Sequence, residues 1–187
     1  MLVNDDLKYV FLHNPKCGGT TLVQFLMKVY NFQPYGDLGA ICPGSSVIER
    51  HRFKVPEQYQ NYKVITSIRD PFKRHESLYF YYKIRELYNG TWTNFLEYRL
   101  PKQIEYTQNA DFVIHVDNLL EDINKLPFLE CPIQTIQSEN VSSNSEKYDQ
   151  YKNEIGWTED SKLEFYKFYK EDFFMIDEYW KNQSSSK

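Results

Sequence analysis

Eleven residues, Phe11 to Thr21 (FLHNPKCGGTT), place a cation, a glycine pair and two hydroxyls between an apolar run and the amphipathic segment LVQFLMKVY. Gly18 and Gly19 let backbone N–H groups turn inward with no Cβ in the way. Thr20 and Thr21 add hydroxyl donors, and the helix that follows presents the positive end of its dipole. Lys16 contributes a mobile cation, and Cys17 lies inside the loop, where its backbone rather than its thiol is expected to matter. The chemistry this combination predicts is the binding of a phosphate or sulfate group.

Such a loop needs a strand before it and a helix after it. The β-branched and aromatic runs Lys8 to His13 and Tyr62 to Ile68 read as buried strands. Leu22, Phe25, Leu26, Val29 and Tyr30 recur at helical spacing and predict one apolar stripe on the intervening helix. After the second strand, Asp70 can cap and Pro71 can fill the first position of a long aromatic-rich helix that should stop near Asn89 and Gly90. Asp111 to Val116 is a third strand candidate, and from Asp117 a helix should carry Leu119, Leu120, Ile123 and Leu126 on one face. This alternation predicts an α/β fold, a P-loop-like three-layer domain with a central parallel sheet flanked by helices. Asn31 to Pro56 reads mostly as loop. Thr91 to Arg99 reads as a short helix with Trp92, Phe95 and Leu96 inward, and Glu159 to Tyr179 has helical aromatic spacing. With no repeat or long linker, a single domain over residues 1–180 is expected, followed by a frayed tail over 181–187.

Composition narrows the classes of function. A chain of 187 residues with 41% hydrophobic and 17% aromatic content is long enough for a substantial core. The formal net charge of −4 argues against a generic nucleic-acid binder, so an anionic ligand must be held by local groups. Cys17, Cys42 and Cys131 show neither a disulfide framework nor zinc-ligand spacing. No stretch has the form of a signal peptide or membrane span, so a cytoplasmic protein with no membrane span is expected.

The order of residues in the loop separates it from a nucleoside-triphosphate P-loop, in which the lysine follows the glycines and the next hydroxyl holds magnesium. Here Lys16 precedes Gly18 and Gly19, and Asp70 is followed by Pro71 in the manner of a helix cap. The string HNPKCGGT resembles the HxPKxGGT loop of sulfotransferases that use 3′-phosphoadenosine 5′-phosphosulfate (PAPS), in particular the carbohydrate-type, sulfotransferase family 2-like branch. A second landmark agrees. IRDPFKRHESLY carries Arg69 at a strand end and Ser77 eight residues later on a helix, the spacing of the family's 3′-phosphate ligands.

The resemblance implies in-line sulfuryl transfer from PAPS to a hydroxyl, with PAP as product, no metal, and a carbohydrate as the expected acceptor. Lys16 would stabilise the leaving phosphate, and Cys17, Gly18, Gly19, Thr20 and Thr21 would surround the 5′-phosphate. Arg69 and Ser77 would hold the 3′-phosphate. Relatives place a histidine base between the first helix and the arginine strand, and His51 in IERHRFKVP is the histidine of that interval, with Glu49 as the alternative base. Arg50, Arg52 and Lys54 surround His51 with positive charge. His13 is expected to support the loop, and His75 and His115 to be ordinary structural residues. Ser142, Ser143 and Lys147 lie where relatives close a loop over the cofactor, and YKEDFFMIDEY resembles the family's closing helix. Two alternatives stand beside this reading: a P-loop-type nucleotide kinase, and a non-catalytic nucleotide-binding module.

Overall fold

The structure is a computed structural model of the chain and describes residues 1–35, 53–137 and 147–185. Its strands are β1 (Leu2–Asn4), β2 (Tyr9–Leu12), β3 (Gln33–Pro34), β4 (Lys63–Ile68) and β5 (Phe112–His115). The helices among the described residues are α1 (Gly19–Tyr30), α2 (Pro71–Ile84), α3 (Trp92–Phe95), α4 (Ile104–Thr107), α5 (Leu119–Ile123), α6 (Tyr148–Lys152), α7 (Glu159–Phe168) and α8 (Lys170–Ser185). Contacts gather in two units, one made of Met1–Ile68 with Glu105–Glu139 and the other of Arg69–Ile104 with Asn140–Lys187.

The first unit holds the sheet, in the order β3-β1-β2-β4-β5. β2, β4 and β5 run parallel, with Leu12 opposite Thr66 and Ile68 opposite His115. β1 and β3 add antiparallel strands on one side, so the sheet is mixed rather than purely parallel. Those two strands are too short to show a period of two in sequence, and it is pairing that makes them strands. On one face Phe11, Ile65 and Ile114 pack with Leu22, Phe25 and Leu26 of α1, and on the other Val3, Val10, Leu12 and Val64 pack with Tyr106. Full burial of side chains such as Leu22 and Phe11 contributes roughly 1.5–3 kcal/mol each. The expected α1 stripe is cut short, since Val29 is 58% exposed. Asn31 takes a left-handed φ of 53°, both its N–H and that of Phe32 reach the Leu26 carbonyl, and the turn delivers Phe32 to the core instead.

In the second unit, the Asp70 side chain accepts the Lys73 N–H at 2.9 Å with Pro71 at the first helical position. α2 stops at Ile84, short of Asn89 and Gly90. Glu86 adopts φ 58°, and the Leu87 and Glu86 N–H groups turn back to Tyr82 (2.8 Å) and Lys83 (3.1 Å), a Schellman ending built without glycine. The expected 91–99 helix is the single turn α3, which buries Trp92 and Phe95 beside Leu78 and Tyr79. The 159–179 segment is two helices broken at Tyr169, whose hydroxyl is engaged by both backbone groups of Leu100. A Thr158–Ser161 capping box starts α7, and α8 runs on to Ser185, past residue 181 where the tail was expected to begin. No described helix is long and apolar enough to cross a membrane.

Candidate active site

The loop between β2 and α1 has an alternating backbone. Lys16 and Gly18 lie in the left-handed region at φ 66° and 68°, with Cys17 between them. Successive residues of opposite hand turn their N–H groups toward one side and make an anion-binding concavity. For a lysine this conformation costs about 1–2 kcal/mol, the kind of local strain that collects at functional sites. α1 begins at Gly19 with Gly18 as its N-cap, no side-chain cap, and no acidic residue in its first turn. No carboxylate of that first turn offsets the positive end of its dipole. Lys16 and Thr20 are half-buried and Thr21 is buried. Cys17 is fully buried with its Sγ 3.6 Å from the Pro15 carbonyl, so the thiol points away from ligand chemistry while the backbone stays in the loop.

Four neighbours hold this shape. Asn14, fully buried, donates from Nδ2 to the Ser67 carbonyl at 2.9 Å, and Thr66 Oγ1 donates to the Leu12 carbonyl at 3.0 Å, tying the ends of β2 and β4 together. The His13 ring lies on Gly19, where an added Cβ would sit 2.0 Å from its Cδ2 and Nε2. Val116, in the 3-10 turn Val116–Asn118, covers Gly18, with a Cγ 3.2 Å from where a Cβ would stand. Gly18 is thus required for conformation and Gly19 for space. Next to this turn, His115 Nδ1 accepts the Asp117 N–H at 3.1 Å, which puts the proton of the neutral ring on Nε2. Asp122, buried, accepts from the His115 N–H, Asn118 and Lys125.

Arg69 and Ser77 both belong to the second unit, Arg69 just ahead of the Asp70 cap and Ser77 on α2, each half-buried. The Gln103 side chain brackets the Arg69 backbone, accepting its N–H at 2.9 Å and donating to its carbonyl at 2.7 Å. His75, two residues before Ser77, is 1% exposed among Trp92, Phe95 and Phe165, with ring centroids 5.7, 5.2 and 5.1 Å away. Burial drives its pKa down to about 4; the Phe95 backbone opposes the fall, and Arg99 and Arg74 add to it. Neither ring nitrogen reaches a partner in good hydrogen-bond geometry, so His75 is a neutral packing residue at pH 7.

His51 and Glu49, with Arg50 and Arg52, lie outside the described residues, as do Ser142 and Ser143. Lys54 is exposed, and Lys147 pairs with Glu86 at 2.7 Å. Sequence reasoning did not single out Asn14, Val116 or Gln103. Asn14 sits inside the loop motif and could have been suspected for that reason, whereas nothing local marks the other two. No curated protein and no solved structure matches the chain. The family model described as the sulfotransferase family matches residues 1–125, a stretch that contains the β2–α1 loop, Arg69, Ser77 and Gln103. With more than half of its 187 residues matched, the chain belongs to the sulfotransferase family.

Proposed function

We propose that the protein transfers a sulfuryl group from PAPS to a hydroxyl, with a carbohydrate as the acceptor class. The observation that carries this reading is the left-handed pair Lys16 and Gly18 opening onto the uncapped start of α1. That cradle offers backbone donors, the Thr20 hydroxyl and one lysine to a monoester-like anion, and membership of the sulfotransferase family supports reading that anion as the phosphosulfate. PAPS supplies an activated sulfuryl group whose departure leaves charge on a phosphate oxygen. Lys16 is assigned to neutralise that charge, and the N–H groups from Cys17 to Thr21 hold the phosphate still. Arg69 offers a planar fork to the 3′-phosphate and Ser77 one further hydrogen bond. His51, or Glu49 in its place, takes the acceptor proton as the hydroxyl oxygen attacks sulfur. The leaving group carries two phosphates at the two ends of a nucleoside, so binding energy spread over both is available to align the in-line attack.

The test is transfer of radiolabelled sulfate from PAPS to a panel of oligosaccharide acceptors. Removing a group that stabilises developing charge costs about 10²–10³-fold in kcat by analogy with oxyanion-hole deletions, so Lys16→Ala should fall by that order with a smaller change in PAP binding. Undiminished turnover in Lys16→Ala strips that residue of its role. Phosphoryl transfer from ATP and magnesium, with no sulfuryl transfer from PAPS, would replace the reading by the kinase alternative.

A further inference from the structure

Residues Leu100 to Ile104 follow no long helix or strand, yet their backbone is held almost atom by atom. The Tyr169 hydroxyl accepts the Leu100 N–H at 2.9 Å and donates to the Leu100 carbonyl at 3.1 Å. Arg74 Nη1 donates to the Pro101 carbonyl at 2.9 Å. The Asp172 carboxylate accepts the Gln103 N–H at 2.9 Å on one oxygen and the Ile104 N–H at 3.0 Å on the other. A strap anchored in this way, by side chains of α2, Tyr169 and α8, has little freedom to move.

Gln103 turns that rigidity onto one residue. Both Gln103 and Asp172 are 0% exposed, and the Gln103 amide makes the reciprocal pair with Arg69, Oε1 accepting its N–H and Nε2 donating to its carbonyl. The arrangement copies a two-bond strand pairing at the first residue beyond β4, where the strand's own ladder has ended. Only a primary amide of this length supplies one donor and one acceptor here. A carboxylate would face the Arg69 carbonyl with a second acceptor, and an apolar side chain would remove both bonds to the Arg69 backbone. Burying an amide and a carboxylate is costly unless each is bonded, and here each is. Burial raises the Asp172 pKa, while the Gln103 and Ile104 N–H groups, Arg74 and Lys102 pull it back.

We propose that Gln103, anchored through Asp172, is a positioning residue that fixes Arg69 and thereby sets the preference of this protein for a 3′-phosphorylated nucleotide. The proposal rests on the assignment of Arg69 to the 3′-phosphate. Fixing the backbone at Arg69 sets the direction of its Cα–Cβ bond, and with it the region the planar fork can reach.

Calorimetric titration of PAP and of 5′-AMP, which lacks the 3′-phosphate, tests it on the full chain. Wild type should bind PAP more tightly than 5′-AMP. Gln103→Met, near in volume but without hydrogen bonds, should lose about tenfold in PAP affinity and less than about twofold in 5′-AMP affinity. Gln103→Asn, which keeps the amide on a stem one methylene shorter, should show the same split. In an Arg69→Ala background the Gln103 substitutions should have no further effect on PAP. Unchanged PAP affinity in both Gln103 variants overturns the proposal, as does an equal loss for the two nucleotides or a loss that persists without Arg69. A wild-type protein that does not prefer PAP overturns the assignment of Arg69 to the 3′-phosphate, and this proposal falls with it.

Discussion

At the scale of single residues, the loop is defined by what two glycines exclude. Gly19 makes room for the His13 ring, and the 2.0 Å separation from a notional Cβ is far inside van der Waals contact. Gly19→Ala must therefore displace either the imidazole or the start of α1, and overpacking of this kind costs about 1–3 kcal/mol. The loss should appear as a lower urea midpoint at unchanged slope. If the ring is the cause, the double variant Gly19→Ala/His13→Ala recovers most of it, whereas a fully additive loss would show that the backbone at residue 19 is the true constraint. Gly18 differs, because its φ of 68° penalises any Cβ whether or not Val116 moves.

At the scale of elements, α2 is more than a carrier for Ser77. Tyr79 donates its hydroxyl to Glu154, Lys83 pairs with the same carboxylate at 3.0 Å, and the Lys83 ammonium lies over the Tyr79 and Tyr151 rings. The Tyr79 hydrogen bond is the main reason the Glu154 pKa is lowered, with Lys83 contributing in the same sense against the opposing effect of burial. This polar knot fastens the segment after α6 to α2. Lys83 is only 12% exposed at its side chain, so Glu154→Ala leaves a largely buried cation without its carboxylate, with the Gly90 carbonyl still 3.3 Å from its Nζ, and strands the Tyr79 phenol. A loss of about 1–3 kcal/mol in unfolding free energy is expected, and Glu154→Gln, which keeps an acceptor for Tyr79, should lose less. Equal stability of Glu154→Ala and wild type would reduce the knot to a surface contact. Asp172 and Tyr169 hold residues 100–104 in a similar way, Tyr169 from the break between α7 and α8, where its hydroxyl is committed to Leu100.

At the scale of the whole molecule, acid should destabilise the fold through His75. Its folded pKa of about 4 lies below the ordinary value of 6.5, so between those two values the unfolded chain holds a proton that the folded chain refuses. The stabilisation by this neutral ring is fully present above pH 6.5 and is lost progressively as pH falls toward 4, by about 3 kcal/mol in all. His75→Phe keeps a ring among Trp92, Phe95 and Phe165 and has no proton to take up. Its unfolding free energy should fall less than wild type over that interval, by roughly the same 3 kcal/mol. Parallel pH profiles for the two proteins would rule out His75 as the source. The acidic net charge of −4 makes the comparison with wild type necessary, since many carboxylates titrate at the lower end of the same range.

Much of the framework could be read directly from the chain. The strand over Tyr9–Leu12, the helix beginning at Gly19, the strand over Lys63–Ile68 and the Asp70–Pro71 start of α2 all follow from apolar period, glycine conformation and capping, which act between residues a few positions apart. The position of the β2–α1 loop was legible for the same reason, because its glycines, lysine and hydroxyls lie together in the chain. Other features depend on which segments meet, and no local pattern encodes that. β1 and β3 become strands only when they pair, Val29 faces solvent because Asn31 turns Phe32 inward, and α2 ends early on a left-handed glutamate. The His13–Gly19 packing and the Asn14 bond to Ser67 require the β2–β4 register, and the Gln103–Asp172 contact joins residues 69 positions apart. Short-range preferences choose the elements and mark where chemistry can occur. Which buried amide meets which backbone is settled only when the elements pack, because desolvation penalises every arrangement that leaves one of them unpaired.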